Sequence, residues 1–254
     1  MDIFQAIIIG IIEGFTEFLP ISSTGHMIIA GKFLGIPQDK VMNAYEIIIQ
    51  FSAILAVMLI YREKITFKKV DLWMKLFVAF LPFAIVGFLV KDHVDALFTT
   101  QTVAYMFIIG GIVFLILEYF YNETPEHIKE VEDVSYMQAL WIGISQIFAI
   151  IPGTSRSGAT IVGGLLTGLD RKASSDFSFL LAIPVMGAVS GYSLLKHYHD
   201  LVGADLTAFS VGFVVSFVVA YITVKLFLVF IQKFSFVPFG IYRIIFGVIL
   251  LMVI

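Results

Sequence analysis

Cysteine is absent from all 254 residues. Its absence excludes disulfides, thiolate nucleophiles and cysteine-ligated metals. Charge is scarce: 16 Lys and Arg plus 19 Asp and Glu make 14% of the chain, where an average soluble domain carries roughly 25%. So little charge cannot wet a globular surface, which excludes a soluble enzyme, a separate water-soluble domain and a disordered tail. With a net charge of −3 and no basic run, nucleic acid is not an expected partner. The first basic residue is Lys32, so the start is not read as a cleavable signal, which needs a basic leading segment. What remains is apolar, 59% hydrophobic by count.

A hydrocarbon layer about 30 Å thick takes about 20 apolar residues per spanning helix. Six windows of that kind lie near residues 41–60, 74–90, 101–121, 176–195, 206–231 and 236–254. Two further apolar stretches, 1–34 and 136–169, are interrupted halfway by polar, Gly- and Pro-containing segments. Each half is too short to cross, and irregular backbone at membrane depth survives only inside protein or beside a cavity. Both stretches are therefore expected to be re-entrant helical hairpins with their tips inside the bundle; two short or tilted spans apiece is the alternative.

A shift of 132 lays Pro20 on Pro152, Ser22 on Thr154 and Ser23 on Ser155, and a shift of 130 lays Glu46 on Asp176. The expected fold is all-α and polytopic, one integral membrane domain over 1–254 built from two copies of a hairpin plus three spans. Repeat one covers 1–121, an acidic loop 122–135, and repeat two 136–254. Three spans is an odd number, so the second copy enters from the opposite face, an inverted repeat whose site lies where the broken helices meet. Arg62, Lys64, Lys68, Lys69 and Lys75 mark 61–75 as cytoplasmic. Alternation then brings hairpin one in from outside and hairpin two from the cytoplasm, with the site opening outward.

Glu13 and Glu17 stand four apart in the first hairpin, hence on one helix face. An ionised carboxylate at membrane depth costs about 2.5–3.5 kcal/mol on insertion scales. The pair reads as a cation site or a general base, against the plainer reading of two acids at the hairpin mouth. Pro20 is expected to end the first half-helix and the run Ser22-Ser23-Thr24 to cap the second, which makes an anion site at a helix N-terminus. His26 is a candidate nucleophile, acid or base, or a packed histidine. The second tip holds Thr154, Ser155, Arg156, Ser157 and Thr160, and the guanidinium fork of Arg156 suits bidentate grip of phosphate. Snorkelling to headgroups is its alternative role, and it is the expected role of Lys225 and Arg243. Glu46 and Asp176, first-turn acids of their spans, could also line the cavity.

The stretch Glu13-Gly14-Phe15-Thr16-Glu17-Phe18-Leu19-Pro20-Ile21-Ser22-Ser23-Thr24-Gly25-His26, with Pro152-Gly153-Thr154-Ser155-Arg156-Ser157-Gly158-Ala159-Thr160, closely resembles the undecaprenyl-diphosphate phosphatase family, also called the bacitracin-resistance family. The likeness extends through Ser175 to Leu181 and Phe236 to Arg243. It implies a bacterial inner-membrane enzyme that hydrolyses the C55 prenyl diphosphate to the monophosphate and inorganic phosphate, recycling the peptidoglycan carrier lipid, with membrane lipid around it; a homodimer is left open as its assembly. By position it assigns Glu13 and Glu17 to catalysis and to a divalent cation, Mg²⁺ or Ca²⁺; Ser22, Ser23 and His26 to the serine motif; and Arg156 to phosphate. Thr24, Ser155, Ser157 and Thr160 are the neighbouring hydroxyls expected to bind phosphate. Ser23, activated by Glu17 or His26, is the first-choice nucleophile and His26 the second. The rival functions are a lipid-phosphate flippase and the type-2 phosphatidic-acid phosphatases, whose histidine and aspartate His197, His199 and Asp200 would have to imitate at an unsuitable spacing.

Overall fold

The computed structural model describes residues 1–37, 39–197 and 205–253. His199 and Asp200 lie outside these residues, as does the side chain of His197. Among the described residues ten α-helices follow one another: α1 (Ile3–Thr16), α2 (Ser23–Phe33), α3 (Lys40–Ile60), α4 (Val70–Val94), α5 (Thr100–Phe120), α6 (Tyr136–Gln146), α7 (Arg156–Leu166), α8 (Arg171–His197), α9 (Leu206–Ile231) and α10 (Val237–Val253). Among the described residues there is no strand, and five helices, α3, α4, α5, α8 and α9, are long and apolar enough to cross a membrane. The sixth expected span, α10, has 17 residues, about 25 Å at 1.5 Å per residue. It is therefore shorter than an untilted crossing.

Both interrupted stretches fold as pairs of half-helices, α1 with α2 and α6 with α7. Their mouths are closed alike. Asp2 and Gln5 form a capping box, and Gln5 Nε2 donates to Leu34 O at 3.1 Å. Ser135 and Gln138 form another, and Gln138 Nε2 donates to Thr167 O at 2.8 Å. These equivalent positions (2 and 135, 5 and 138, 34 and 167) stand 133 residues apart, one more than the shift read from the sequence. The prolines had suggested the shorter register, because Pro20 and Pro152 match by identity while occupying different places in their turns. Nor does Pro20 end α1: that helix stops at Thr16, and Glu17 N–H closes it on Glu13 O at 2.9 Å.

Each first half-helix packs by glycine against a helix of the other half. On α1, a Cβ at Gly10 would stand 2.8 Å from Gly212 O, and one at Gly14 2.5 Å from Ser216 O, both on α9. On α6, a Cβ at Gly143 would stand 2.2 Å from Ala79 O on α4. Small residues let backbones approach closely where lipid removes the usual hydrophobic drive. Hydroxyls add polar contacts: Ser216 Oγ donates to Ile49 O at 2.9 Å, Ser52 Oγ to Phe213 O at 2.5 Å and Tyr45 Oη to Ala6 O at 2.5 Å. Gly143→Ala is accordingly expected to lower the melting temperature of the purified protein. Gly87→Ala, with nothing within 4 Å of its Cβ, should leave it unchanged or raised, since alanine is the better helix former.

The charged loops gather at one end. Lys64 Nζ donates to Glu130 and Glu132 at 3.0 Å each, and Lys69 Nζ to Glu132 at 2.6 Å. Partial burial works to raise the Glu132 carboxyl, but the hydrogen bonds from Lys69 and Lys64 outweigh it and lower the group to about 2. Arg171 grips Glu118 through Nε at 3.0 Å and Nη2 at 2.6 Å, and Glu118 also accepts Phe236 N–H at 2.8 Å. Segments 61–75, 122–135 and 170–175 thus share one end with the turn that leads into α10. Asp176 belongs to it as well, taken up by Tyr61 Oη and, at 2.9 Å, by Lys172 Nζ. It is not brought to the tips.

Candidate active site

Both second half-helices begin at a strained serine. Ser22 (φ 68°) and Ser155 (φ 77°) are the non-glycine residues with positive φ among those described. A left-handed conformation costs an L-residue roughly 1–2 kcal/mol and is retained where surrounding contacts demand it.

The tips touch directly. Arg156 Nη2 donates to Glu17 Oε1 at 3.1 Å, Arg156 Nη1 donates to Ser178 O at 3.0 Å, and the guanidinium lies 5.7 Å above the Phe18 ring. The second carboxylate oxygen, Glu17 Oε2, accepts Ser23 Oγ–H at 2.6 Å. Arginine, glutamate and serine therefore form a chain running from one hairpin into the other, with Glu17 and Arg156 buried at 5% and 9% side-chain exposure. A buried pair of this kind is costly to build and costly to break.

This chain opens on a cavity of about 170 Å³. Glu17, Ser22, Ser23, Thr24, Ser155 and Arg156 line it, with Gln50 reaching in from α3 and Phe83, Ile150, Val185, Met186 and Val189 forming an apolar wall. Polar and apolar side chains line it together, a mixture that fits a charged head on a hydrocarbon tail. At the first tip the Ser22 hydroxyl makes no cap bond, which leaves the start of α2 open. At the second, Ser155 Oγ accepts Gly158 N–H at 3.1 Å.

Other expected site residues stand elsewhere. Ser157 Oγ donates to Leu19 O at 2.9 Å, tying the tips together. Thr160 Oγ1 is spent on Arg156 O and on Ser178 Oγ at 2.6 Å. Neither hydroxyl lines the cavity, so both act on the backbone of the tips. His26 is turned away from Ser23: Nδ1 lies 2.7 Å from Ser22 O and Nε2 2.6 Å from Tyr242 Oη.

Glu13 sits one turn before Glu17, fully buried, and neither of its carboxylate oxygens has a hydrogen-bond partner among the described residues. It feels the charges of Glu17, Glu46 and Arg156. No cluster of three or more His, Cys, Asp or Glu is placed to hold a metal among the described residues. A hard cation such as Mg²⁺ commonly takes one or two carboxylates and completes its shell with water and substrate phosphate. Orphaned oxygens on Glu13 beside Glu17 fit that mode.

Three residues escaped the sequence reading. Gln50 is a single polar residue within an apolar span and Tyr242 a single aromatic among many, so neither carries a signal of its own. Arg243 does: expected to snorkel, it is instead fully buried. Its guanidinium donates to Pro20 O and Gly153 O at 3.0 Å each and to Met106 O at 2.9 Å, and it lies 5.3 Å from the Phe107 ring. It is the seventh of the 17 residues of α10, too far from an end to reach headgroups. That position in an apolar run is the signal that could have found it.

The chain is similar to known proteins along its length. A family model described as "Bacitracin resistance protein BacA" matches residues 6–249. The chain is 71% identical to the undecaprenyl-diphosphatase of Sulfurovum sp. (strain NBC37-1), with 100% of each chain covered. It is 61% identical to the undecaprenyl-diphosphatase of Sulfurimonas denitrificans over 99% of each. To that of Methanococcus aeolicus it is 54% identical, over 99% of this chain and 98% of the relative.

Proposed function

The chain belongs to the bacitracin resistance protein BacA family, and from that premise we propose that it is an undecaprenyl-diphosphatase acting on its lipid within the membrane. The reaction converts the C55 prenyl diphosphate to the monophosphate and inorganic phosphate, returning the carrier lipid to peptidoglycan synthesis and giving bacitracin resistance. The observation that carries this reading is the Ser23–Glu17–Arg156 chain lining a cavity that also has apolar walls.

Ser23 Oγ attacks the terminal phosphorus while its proton passes to Glu17 Oε2, already 2.6 Å away. The bond from phosphorus to the bridging oxygen breaks, and the prenyl monophosphate leaves with that oxygen. Water then attacks the phosphoserine, the Ser23 oxygen leaves phosphorus and takes back its proton from Glu17, and the water's oxygen departs with the released phosphate. Proton arrival at Glu17 cancels the charge that holds Arg156, so the guanidinium becomes free to follow the charge onto the phosphoryl oxygens. Arg156 Nε, buried and unpartnered among the described residues, supplies a further donor. Phosphoryl transfer depends chiefly on such positioning and charge stabilisation. Thr24, Ser22 and the open start of α2 complete the anion cradle.

Glu13 and Glu17 would hold a Mg²⁺ or Ca²⁺ ion, which when bound neutralises phosphate charge. His26 is the poorer nucleophile, because both ring nitrogens are engaged. Trapped phosphoenzyme should carry its label on Ser23.

Arg156→Lys keeps the charge and loses the fork. We expect kcat/KM to fall about 10²-fold, the scale of losing an oriented donor; near-native activity would remove the phosphate grip from Arg156.

The proposed membrane arrangement is six spans, α10 tilting least of them, in an inverted repeat of two hairpin-plus-three units in the bacterial inner membrane. Its support is the 133-residue correspondence of the mouths, the strained serines and the glycine contacts of 10 with 212 and 143 with 79. The basic end faces the cytoplasm and the cavity opens outside. In a chain with no native cysteine, Ser22→Cys should react with an impermeant thiol reagent added to intact cells. Reaction only from the cytoplasmic side would reverse the orientation.

The deciding experiment is phosphate release from undecaprenyl diphosphate by purified protein in detergent, where no membrane remains to be crossed. Release is expected. Binding without release would favour a lipid-phosphate flippase.

A further inference from the structure

We propose that Tyr242 is a positioning residue for the serine nucleophile, acting through His26, whose own work is to hold the Ser22 carbonyl. The inference rests on the reading of Ser23 as nucleophile. A carbonyl only accepts, so Nδ1 of His26 carries the hydrogen it gives to Ser22 O at 2.7 Å. In the neutral ring Nε2 then bears the lone pair and accepts Tyr242 Oη–H at 2.6 Å. Rings fix the imidazole plane: Phe246 stacks on it at 4.5 Å and Tyr242 at 5.7 Å, with Phe107 at 5.5 Å.

The second tip shows what this arrangement replaces. There Ser155 O accepts the backbone N–H of the residue four places on, Ala159, at 3.0 Å, and Ser155 Oγ caps Gly158. His26 is likewise four places beyond Ser22, yet its side chain, not its backbone, meets that carbonyl, and the Ser22 hydroxyl caps nothing. The first tip has given up both local bonds that hold a serine at positive φ. Its hydroxyl and the first N–H groups of α2 are thereby left to the cavity, and the imidazole supplies the missing restraint from the side. Tyr242 Oη–H occupies the lone pair on Nε2, which holds the imidazole in the orientation that the Ser22 carbonyl requires. Its neighbour Arg243 fixes the same turn at Pro20 O, 3.0 Å away, so two adjacent residues of α10 clamp the chain on either side of Ile21.

Steady-state kinetics on purified protein in detergent test this. Tyr242→Phe, at a position 40% exposed where the ring fits unchanged, should lower kcat about tenfold, the scale of one hydrogen bond, with KM held within about twofold. His26→Ala should lose about a hundredfold or more, as for a misplaced reacting group. His26→Asn can set an amide N–H where Nδ1 stood; it should recover most of that loss, and adding Tyr242→Phe to it should cost nothing further. A His26→Asn protein that melts like wild type yet is as inactive as His26→Ala would show that the imidazole does chemistry, and overturn the proposal. So would Tyr242→Phe at full kcat, whatever the histidine variants do. Failure of the wild type to release phosphate would strike the nucleophile reading, a separate result.

Discussion

Ser23→Ala is expected to end phosphate release, with a loss of at least about 10³-fold, while the protein should melt within a few degrees of wild type. The scale is that of removing a nucleophile which acts as one unit with its base. The selectivity follows from the geometry: the Ser23 hydroxyl donates to Glu17 Oε2, so alanine removes one hydrogen bond and leaves the Glu17–Arg156 pair intact. Glu17→Gln is also expected to be inactive, but for two reasons at once. It loses the base and strands Arg156 as a buried cation without its counter-charge, a change that costs folding stability as well. Comparing the two by phosphate assay and thermal melting separates chemistry from structure. Substantial turnover by Ser23→Ala, with no phosphoserine trapped in the wild type, would sink the serine mechanism.

Arg243→Met is expected to lose both fold and function, although Arg243 touches no substrate cavity. Its guanidinium satisfies carbonyls in three places, Pro20 in the first tip, Gly153 in the second and Met106 on α5. A thioether gives these oxygens no donor, and each buried acceptor left unmet costs about 1–3 kcal/mol. Because they belong to separate segments, no single local shift repairs them. A destabilisation of about 3 kcal/mol or more should appear as a lower melting temperature, with phosphate release falling in parallel as the tips lose register. Arg243→Lys should be nearly as damaging, since one ammonium on a flexible stem cannot reach the three carbonyls together. If Arg243→Met instead melts and turns over like wild type, the tips are held by their own contacts.

These two residues also mark what could be read before the fold was known. Ser23 was identified from its motif, but its base stayed open between Glu17 and His26. Sequence distance favours neither; in the structure Oγ of Ser23 meets Glu17 and the imidazole meets Tyr242, which supports the proposal of Glu17 as the base. Ser157 and Thr160 looked equivalent to Ser155 as phosphate hydroxyls. They differ because a helix start places successive side chains around its axis, so Ser155 meets the cavity while Ser157 meets Leu19 O and Thr160 meets Ser178.

Hydropathy and charge belong to each segment alone, so the sequence by itself determined the membrane class, the two broken hairpins and the cost that singles out Glu13, Glu17 and Arg156. Which of those groups meet is a matter of distance between segments: Glu17 finds Arg156 across 139 residues and Arg243 finds Pro20 across 223. Only the tertiary structure could decide that, because a buried donor or acceptor must be satisfied by whatever the packed helices bring beside it, and no local pattern records that neighbour.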